Sequence, residues 1–333
     1  MRTRFLLACL LILTACGGGG GEAAAEGCGG IEGETVTLVV PFSPGGGYDS
    51  YARLLAPYLE EQLGATVIVE NQDGAGGLLA LNNLLTAAPD GTTLVIMNGI
   101  GAGGASIAGA EGAAFALDEF SYIGRVASEP PLIVTDADSE FQTWDDVVSA
   151  DSFRFGSTGP GASDFVTPSL LIEAFGLNAE LVTGFEGSEE NELAVTQGNV
   201  DGMSGDLDSR LPAIESGDHR PLLLIADEAN DAVPDTPVVA ELELEPAQEE
   251  LITAHLDLLE LARPIVGPPG IPDDVLGCLR DGLQAALEDP ELVTESEEQG
   301  RPIDYLPGEE LEQVVAEILD APAEYKRVLT EAY

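Results

Sequence analysis

Lysine is almost missing from this chain of 333 residues. Lys326 is the only one, and it joins eleven arginines against 60 aspartates and glutamates, for a formal charge of −48. So acidic a surface repels polyphosphates, which excludes nucleic-acid binding and any broad phosphate-reading face. Histidine is nearly as scarce. Only His219 and His255 occur, no G-x-S-x-G elbow accompanies them, and a secreted hydrolase built on a nucleophile and base lacks its parts. The four cysteines stand at 9, 16, 28 and 278, without histidines beside them, so no metal site is expected. Nowhere does an apolar run reach the roughly 20 residues of a membrane-spanning helix. What the chain does hold is 44% hydrophobic residues with charge spread throughout, a composition for one or two globular domains. Arginine favoured over lysine on an acidic background reads as a halophile-like surface suited to salty surroundings.

The N-terminus sets the expected compartment. Arg2 and Arg4 precede an apolar run from Phe5 to Leu13, and Leu13-Thr14-Ala15-Cys16 follows. This resembles a bacterial lipoprotein signal with its lipobox, so residues 1–15 are expected to be a signal peptide and Cys16 the lipidated residue. The mature chain is then extracytoplasmic and anchored to the cell membrane, in a periplasm or on the outer face of the cytoplasmic membrane. It would carry ten basic and sixty acidic residues, 10 − 60 = −50. Residues 16–33, with their GGGGGEAAAEG, read as a flexible tether. Cys28 and Cys278 remain, and one disulfide between them is expected, the alternative being two unpaired thiols.

Apolar β-branched runs alternate with helical periods along the body: VTLVV (36–40), TVIVE (66–70), TTLVIM (92–97), PLIVT (131–135), FRFGS (153–157), AELVTGF (179–185) and PLLLIAD (221–227). From Asp49 to Leu63 the residues Tyr51, Leu54, Leu55, Tyr58, Leu59 and Leu63 share one helical face, with Asp49 placed to cap its start. Such alternation predicts an α/β protein with parallel sheets and functional loops at the carboxyl ends of the strands. After Asp227 the chain reads as mostly helical, at 249–261, 272–287, 290–299 and 308–319, with no matching set of new strands for a third sheet. These helices are expected to pack back on an earlier sheet, which makes the first domain discontinuous.

Glycine-rich strand exits carry the chemistry. PFSPGGGYD (41–49) and NQDGAGG (71–77) each open a helix, where glycine lets a ligand approach backbone N–H groups. Two such helix starts could hold a carboxylate through donors and dipole, without lysine or arginine. STGPGASDF (157–165) adds hydroxyls to the same arrangement, and GFEGSEEN (184–191) follows a later strand with Ser188 at its cap position.

The strings PFSPGGGYDSYARLLAPYLEEQLGATVIVENQDGAGG, FGSTGPGASDF, GFEGSEENELAVTQGNVDG, VPDTPVVAEL and IVGPPGIPDDVLGCL resemble, in order and spacing, the extracytoplasmic solute receptors of tripartite tricarboxylate transporters, the Bug proteins, over residues 34–310. The resemblance implies a periplasmic binding protein type II-like Venus flytrap: two α/β domains, 34–126 plus 254–333 and 127–253, with a ligand cleft between them and hinges near 123–130 and 254–264. It implies a small carboxylate ligand, a tricarboxylate, dicarboxylate or related organic acid. The ligand residues it points to are Ser43, Gly45, Gly46, Gly47, Tyr48 and Asp49, then Gly74, Ala75, Gly76 and Gly77. From the opposite domain come Ser157, Thr158, Gly161, Ala162 and Ser163, with Gly187, Ser188 and Asp206. Tyr48 stands where a smaller hydroxyl residue is common in the family, and Asp164 and Phe165 where a histidine is frequent. Membrane permease subunits are the implied partners, a monomer the implied state, and no cofactor or catalysis is expected.

Two other readings compete. A ligand-presenting receptor for a sensor kinase would use the same outer surface. Gly99, Gly101 and Gly104 spell G-x-G-x-x-G after TTLVIM, but no strand with a terminal acid follows about 20 residues on, which speaks against a dinucleotide enzyme.

Overall fold

The computed structural model describes residues 30–333. The signal segment, Cys9, Cys16, Cys28 and most of the tether lie outside the described residues. Walking the chain, β1 (Thr35–Val40) runs into α1 (Gly47–Leu63), β2 (Thr66–Asn71) into α2 (Leu78–Leu84), and β3 (Thr93–Ile96) into α3 (Gly99–Ala108), before β4 (Ser121–Ala127). A second set follows: β5 (Pro131–Asp136), α4 (Trp144–Val148), β6 (Phe153–Ser157), α5 (Ser163–Phe175), β7 (Ala179–Thr183), α6 (Ser188–Thr196), β8 (Gly202–Asp206), α7 (Leu207–Ser216) and β9 (His219–Leu224). The chain then returns through α8 (Pro246–Leu259) to β10 (Arg263–Gly267), α9 (Asp273–Leu287), α10 (Pro290–Glu298), β11 (Leu306–Pro307), α11 (Gly308–Leu319) and α12 (Ala323–Ala332).

These strands make two sheets, ordered β11-β4-β10-β3-β1-β2 and β7-β6-β8-β5-β9. Both are mixed, which corrects the expectation of parallel sheets. β1 pairs parallel with β2 and β3, but β10 lies antiparallel between β3 and β4, and β5 lies antiparallel to both β8 and β9. The mostly helical C-terminal stretch also supplies β10 and β11, which join the first sheet and form no third one. Arg263 and Pro264 open β10 and mask it in the sequence, although all five of its residues are buried.

Helices fill both faces. α1 and α9 cover one face of the first sheet, where Leu38, Val40, Tyr51, Leu55, Leu59, Leu279 and Leu283 pack together. At roughly 1.5–3 kcal/mol for each large apolar side chain taken from water, this layer holds β1 and the start of α1 in fixed register. A second cluster runs without a break from Val39 and Val95 of the first sheet to Phe153 and Phe155 of the second, through Met97, Leu170 of α5, and α3, α8 and α12. Cys278 on α9 is disulfide-bonded.

His255 sits inside that shared core. It is fully buried on α8, with Nε2 at 3.0 Å from Thr167 Oγ1 and Nδ1 at 3.0 Å from Tyr325 Oη. Burial pushes its pKa down to about 3, so the folded chain holds it neutral while the unfolded chain protonates it below the ordinary 6.5. Stability from this group is complete above pH 6.5 and is lost as pH falls from there toward 3, by up to about 4 kcal/mol. His255→Gln keeps a hydrogen-bonding side chain without the titration. Its melting temperature should be lower than wild type at pH 8 and fall less between pH 7 and pH 4; parallel acid limbs would contradict this.

Candidate functional site

Five helix N-termini meet at one cavity between the sheets. α1 starts after Gly46 and α3 after Asn98, on the first-sheet side; α5 starts after Ala162, α6 after Gly187 and α7 after Asp206, on the second-sheet side. All five cap residues line the cavity. Only Asn98 caps its own helix with a side chain, accepting from Gly101 N at 2.9 Å. The other four ends have no side-chain cap hydrogen bond; each carries an acid in its first turn, and Asp208 Oδ1 accepts from Ser209 N in α7, but the remaining N–H groups and the dipole ends favour an anion. The cavity volume is about 60 Å³, enough for a small ligand of several heavy atoms.

Two buried side-chain donors in the wall have no partner within the protein: Arg210 Nε and Ser204 Oγ. Arg210 is held by Glu192 through Nη1 at 2.5 Å, and its Nε is left free beside Gly205, where a β-carbon would stand 2.9 Å from it. Such groups cost free energy when buried alone, so each is a group that a ligand in the cavity could complete.

Four acidic groups line the wall: Asp49, Asp164 and Asp206 are hydrogen-bonded within the protein, and Glu189 is exposed. Burial pushes the Asp49 carboxyl up, but Arg53, Asn71 and the Gly45 N–H donate to it and hold it below its ordinary value. Asp164 accepts from Ser157 Oγ, Thr158 N, Thr158 Oγ1 and Asn191 Nδ2, yet complete burial raises its pKa to about 6. Below pH 6 it is neutral, so a negative charge beside the anion cavity disappears. Affinity for a carboxylate with pKa under about 4.5 should therefore rise on going from pH 7.5 to pH 5, by about 3- to 10-fold. In Asp164→Asn that dependence should vanish, which calorimetry at the two pH values checks.

Behind the cavity, Arg263 is 1% exposed and joins the halves. Its Nε donates to Glu129 at 2.8 Å and its Nη2 to Asp206 at 2.6 Å, and the guanidinium lies 4.3 Å from the Tyr48 ring centroid and 4.9 Å from that of Tyr51. Tyr51 Oη in turn lies within hydrogen-bonding distance of a Glu129 carboxylate oxygen and of Pro302 O, with one proton to share between them. This ties Asp206 at the start of α7 to β10 and α1. Gly47 leaves room for it, because a β-carbon there would stand 2.8 Å from Ser209 Oγ and 3.2 Å from Arg263 Nη1.

Of the residues expected from sequence, Ser43, Gly46, Gly47, Tyr48, Asp49, Thr158, Ala162, Ser163, Gly187, Ser188 and Asp206 line the cavity. Gly45 stands just outside, its N–H on Asp49. Ser157 is buried behind Asp164, to which its hydroxyl donates. Gly74, Ala75 and Gly76 line a neighbouring cavity instead, and Gly77 packs against Pro41 and Phe42. Gly161 faces that loop, donating its N–H to Ala75 O at 3.1 Å. Asn98, Ser204, Ser209 and Arg210 were not expected at the site. Asn98 alone had a sequence signal, as a cap residue before a helix start; Arg210 contradicts the expectation of a site without arginine.

The comparisons with known proteins agree with this geometry. Residues 51–324 match the family described as tripartite tricarboxylate transporter family receptor. An Agrobacterium vitis protein encoded in the ttuE-ttuC′ intergenic region is 29% identical over 263 residues, covering 78% of this chain and 72% of its own. Protein BugT of Bordetella pertussis is 26% identical over 212 residues, covering 62% and 65%. Among solved structures, MatC of Rhodopseudomonas palustris with bound malate has a TM-score of 0.75 at 25% identity, covering 89% of this chain and 99% of its own. The periplasmic binding protein BugD also scores 0.75, at 23% identity over 90% and 97%, and an R. palustris protein with adipate scores 0.72 at 22% over 90% and 97%. The fold is therefore the two-domain Venus flytrap of periplasmic binding proteins, and its family is one of receptors rather than enzymes. With a match spanning most of its length, the chain belongs to the tripartite tricarboxylate transporter receptor family.

Proposed function

We propose that this protein is an extracytoplasmic receptor that captures a small carboxylate and delivers it to the permease subunits of a tripartite tricarboxylate-type transporter. The observation that carries the reading is the cavity itself: four helix starts without side-chain caps, with Arg210 Nε and Ser204 Oγ unpartnered beside them, form an anion site in a chain that is otherwise strongly acidic. The malate and adipate of two structural neighbours support the same ligand class. Charge-assisted hydrogen bonds of roughly 1.5–3 kcal/mol each, made in the cavity, offset the long-range repulsion. Domain 1 comprises 34–126 plus 254–333 and domain 2 comprises 127–253, with closure by bending near 123–130 and 254–264. Cys16 carries the lipid anchor, and Cys28 is the disulfide partner of Cys278.

Isothermal calorimetry in high salt against mono-, di- and tricarboxylates, amino acids and sugars tests the reading. At least one small carboxylate is expected to bind and sugars are not. A chain that binds a sugar and no carboxylate would refute it.

A further inference from the structure

A second cavity, of about 270 Å³, adjoins the first, and Phe42 and Thr158 line both. Its character is different. The Phe42 and Phe185 rings and Pro160 supply apolar wall, Thr158, Thr183 and glycine backbone supply polar wall, the exposed Asp73 and Glu186 supply the only charges, and no lysine, arginine or histidine lines it. The Gly74–Gly77 loop borders this space but is engaged with the opposite loop. Ala75 O accepts from Gly161 N, and a β-carbon on Gly76 would stand 2.6 Å from Gly159 O and 2.8 Å from the N atoms of Gly161 and Ala162. An anion entering here would meet two carboxylates and no countercharge, whereas a hydrocarbon or aromatic group would meet two rings.

We propose that this compartment holds the uncharged, apolar tail of the ligand, so that the receptor takes monocarboxylates with an extended tail in preference to dicarboxylates of the same length. The inference rests on the reading of the first cavity as the carboxylate site. Burial of each methylene is worth about 0.8 kcal/mol, roughly a 3- to 4-fold gain in affinity. A second carboxylate brought against Asp73 and Glu186 forfeits that gain and adds repulsion.

Calorimetry with the full chain and sodium propionate, hexanoate and adipate tests it. Hexanoate differs from propionate by three methylenes and from adipate by the terminal carboxylate, so it should bind at least 10-fold tighter than either. Phe185→Ala, at a partly buried ring, should weaken hexanoate several-fold and leave propionate within 2-fold. Asp73→Asn with Glu186→Gln should narrow the gap between adipate and hexanoate. Adipate binding as tightly as hexanoate, or affinity flat from propionate to hexanoate, would overturn the tail assignment while leaving the carboxylate reading standing. If none of the three bound, and no other carboxylate did, the first cavity's role would fall and this inference with it.

Discussion

Replacing Arg210 with methionine is expected to weaken carboxylate binding about 10- to 150-fold, the worth of one hydrogen bond from a charged donor at 1.5–3 kcal/mol. Methionine keeps an apolar stem of similar length against Met203, so packing changes little. Glu192, the partner that Arg210 leaves, is 32% exposed and returns to water. The melting temperature should therefore move far less than the affinity. The Nε that Arg210 leaves unpartnered in the wall is what distinguishes it from Arg154 or Arg280, whose guanidinium groups are taken up by surface acids and carbonyls. Affinity in Arg210→Met within 2-fold of wild type, measured by calorimetry, would remove the guanidinium from the site.

Gly101→Val should be more damaging, because it acts on closure instead of on one bond. Gly101 lies in the first turn of α3, where valine is conformationally acceptable, but a β-carbon there would overlap the backbone of Gly161 and crowd Ala162 N at 2.5 Å. The obstacle is main chain in the opposite half, so no side chain can rotate away. The two halves are then held apart, the α5 terminus is withdrawn from the α1 terminus, and affinity should drop about 100-fold or more. Small-angle scattering should give a larger radius of gyration than wild type with saturating ligand. Wild-type affinity and dimensions in this variant would show that the contact between the Gly99–Ala108 helix and the Pro160–Ala162 loop is not needed for binding.

Much of this site was readable because glycine-rich strand exits announce themselves locally. Ser43 to Asp49 and Thr158 to Ser163 follow apolar runs and open helices, so their role as helix-start loops is a property of a few neighbouring residues. Arg210 and Ser204 had no such signal. They flank the end of β8, whose sequence GMSGD has no apolar alternation and becomes a strand only because it is enclosed between β6 and β5. That placement brings Asp206 and the start of α7 beside Thr158, a long-range consequence of strand order. Arg263 was hidden for a related reason: a buried guanidinium in a strand is tolerated only where Glu129 and Asp206 arrive to meet it, and they come from 134 and 57 residues away in the chain. The Gly74–Gly77 loop shows the converse limit. Its glycines mark close backbone approach, but what approaches is the Gly159–Ala162 backbone.

The proposed pose seats a small carboxylate between the helix starts, with one oxygen on Arg210 or Ser204 and the other on backbone N–H groups. A crystal structure of the protein grown with saturating hexanoate tests it directly. A closed protein is expected, with one carboxylate oxygen within hydrogen-bonding distance of Arg210 Nε or Ser204 Oγ and the other on backbone N–H groups at Gly46–Tyr48 or Ala162–Asp164. A carboxylate bound elsewhere on the molecule, or an empty cavity in crystals of protein that binds the acid in solution, would contradict it.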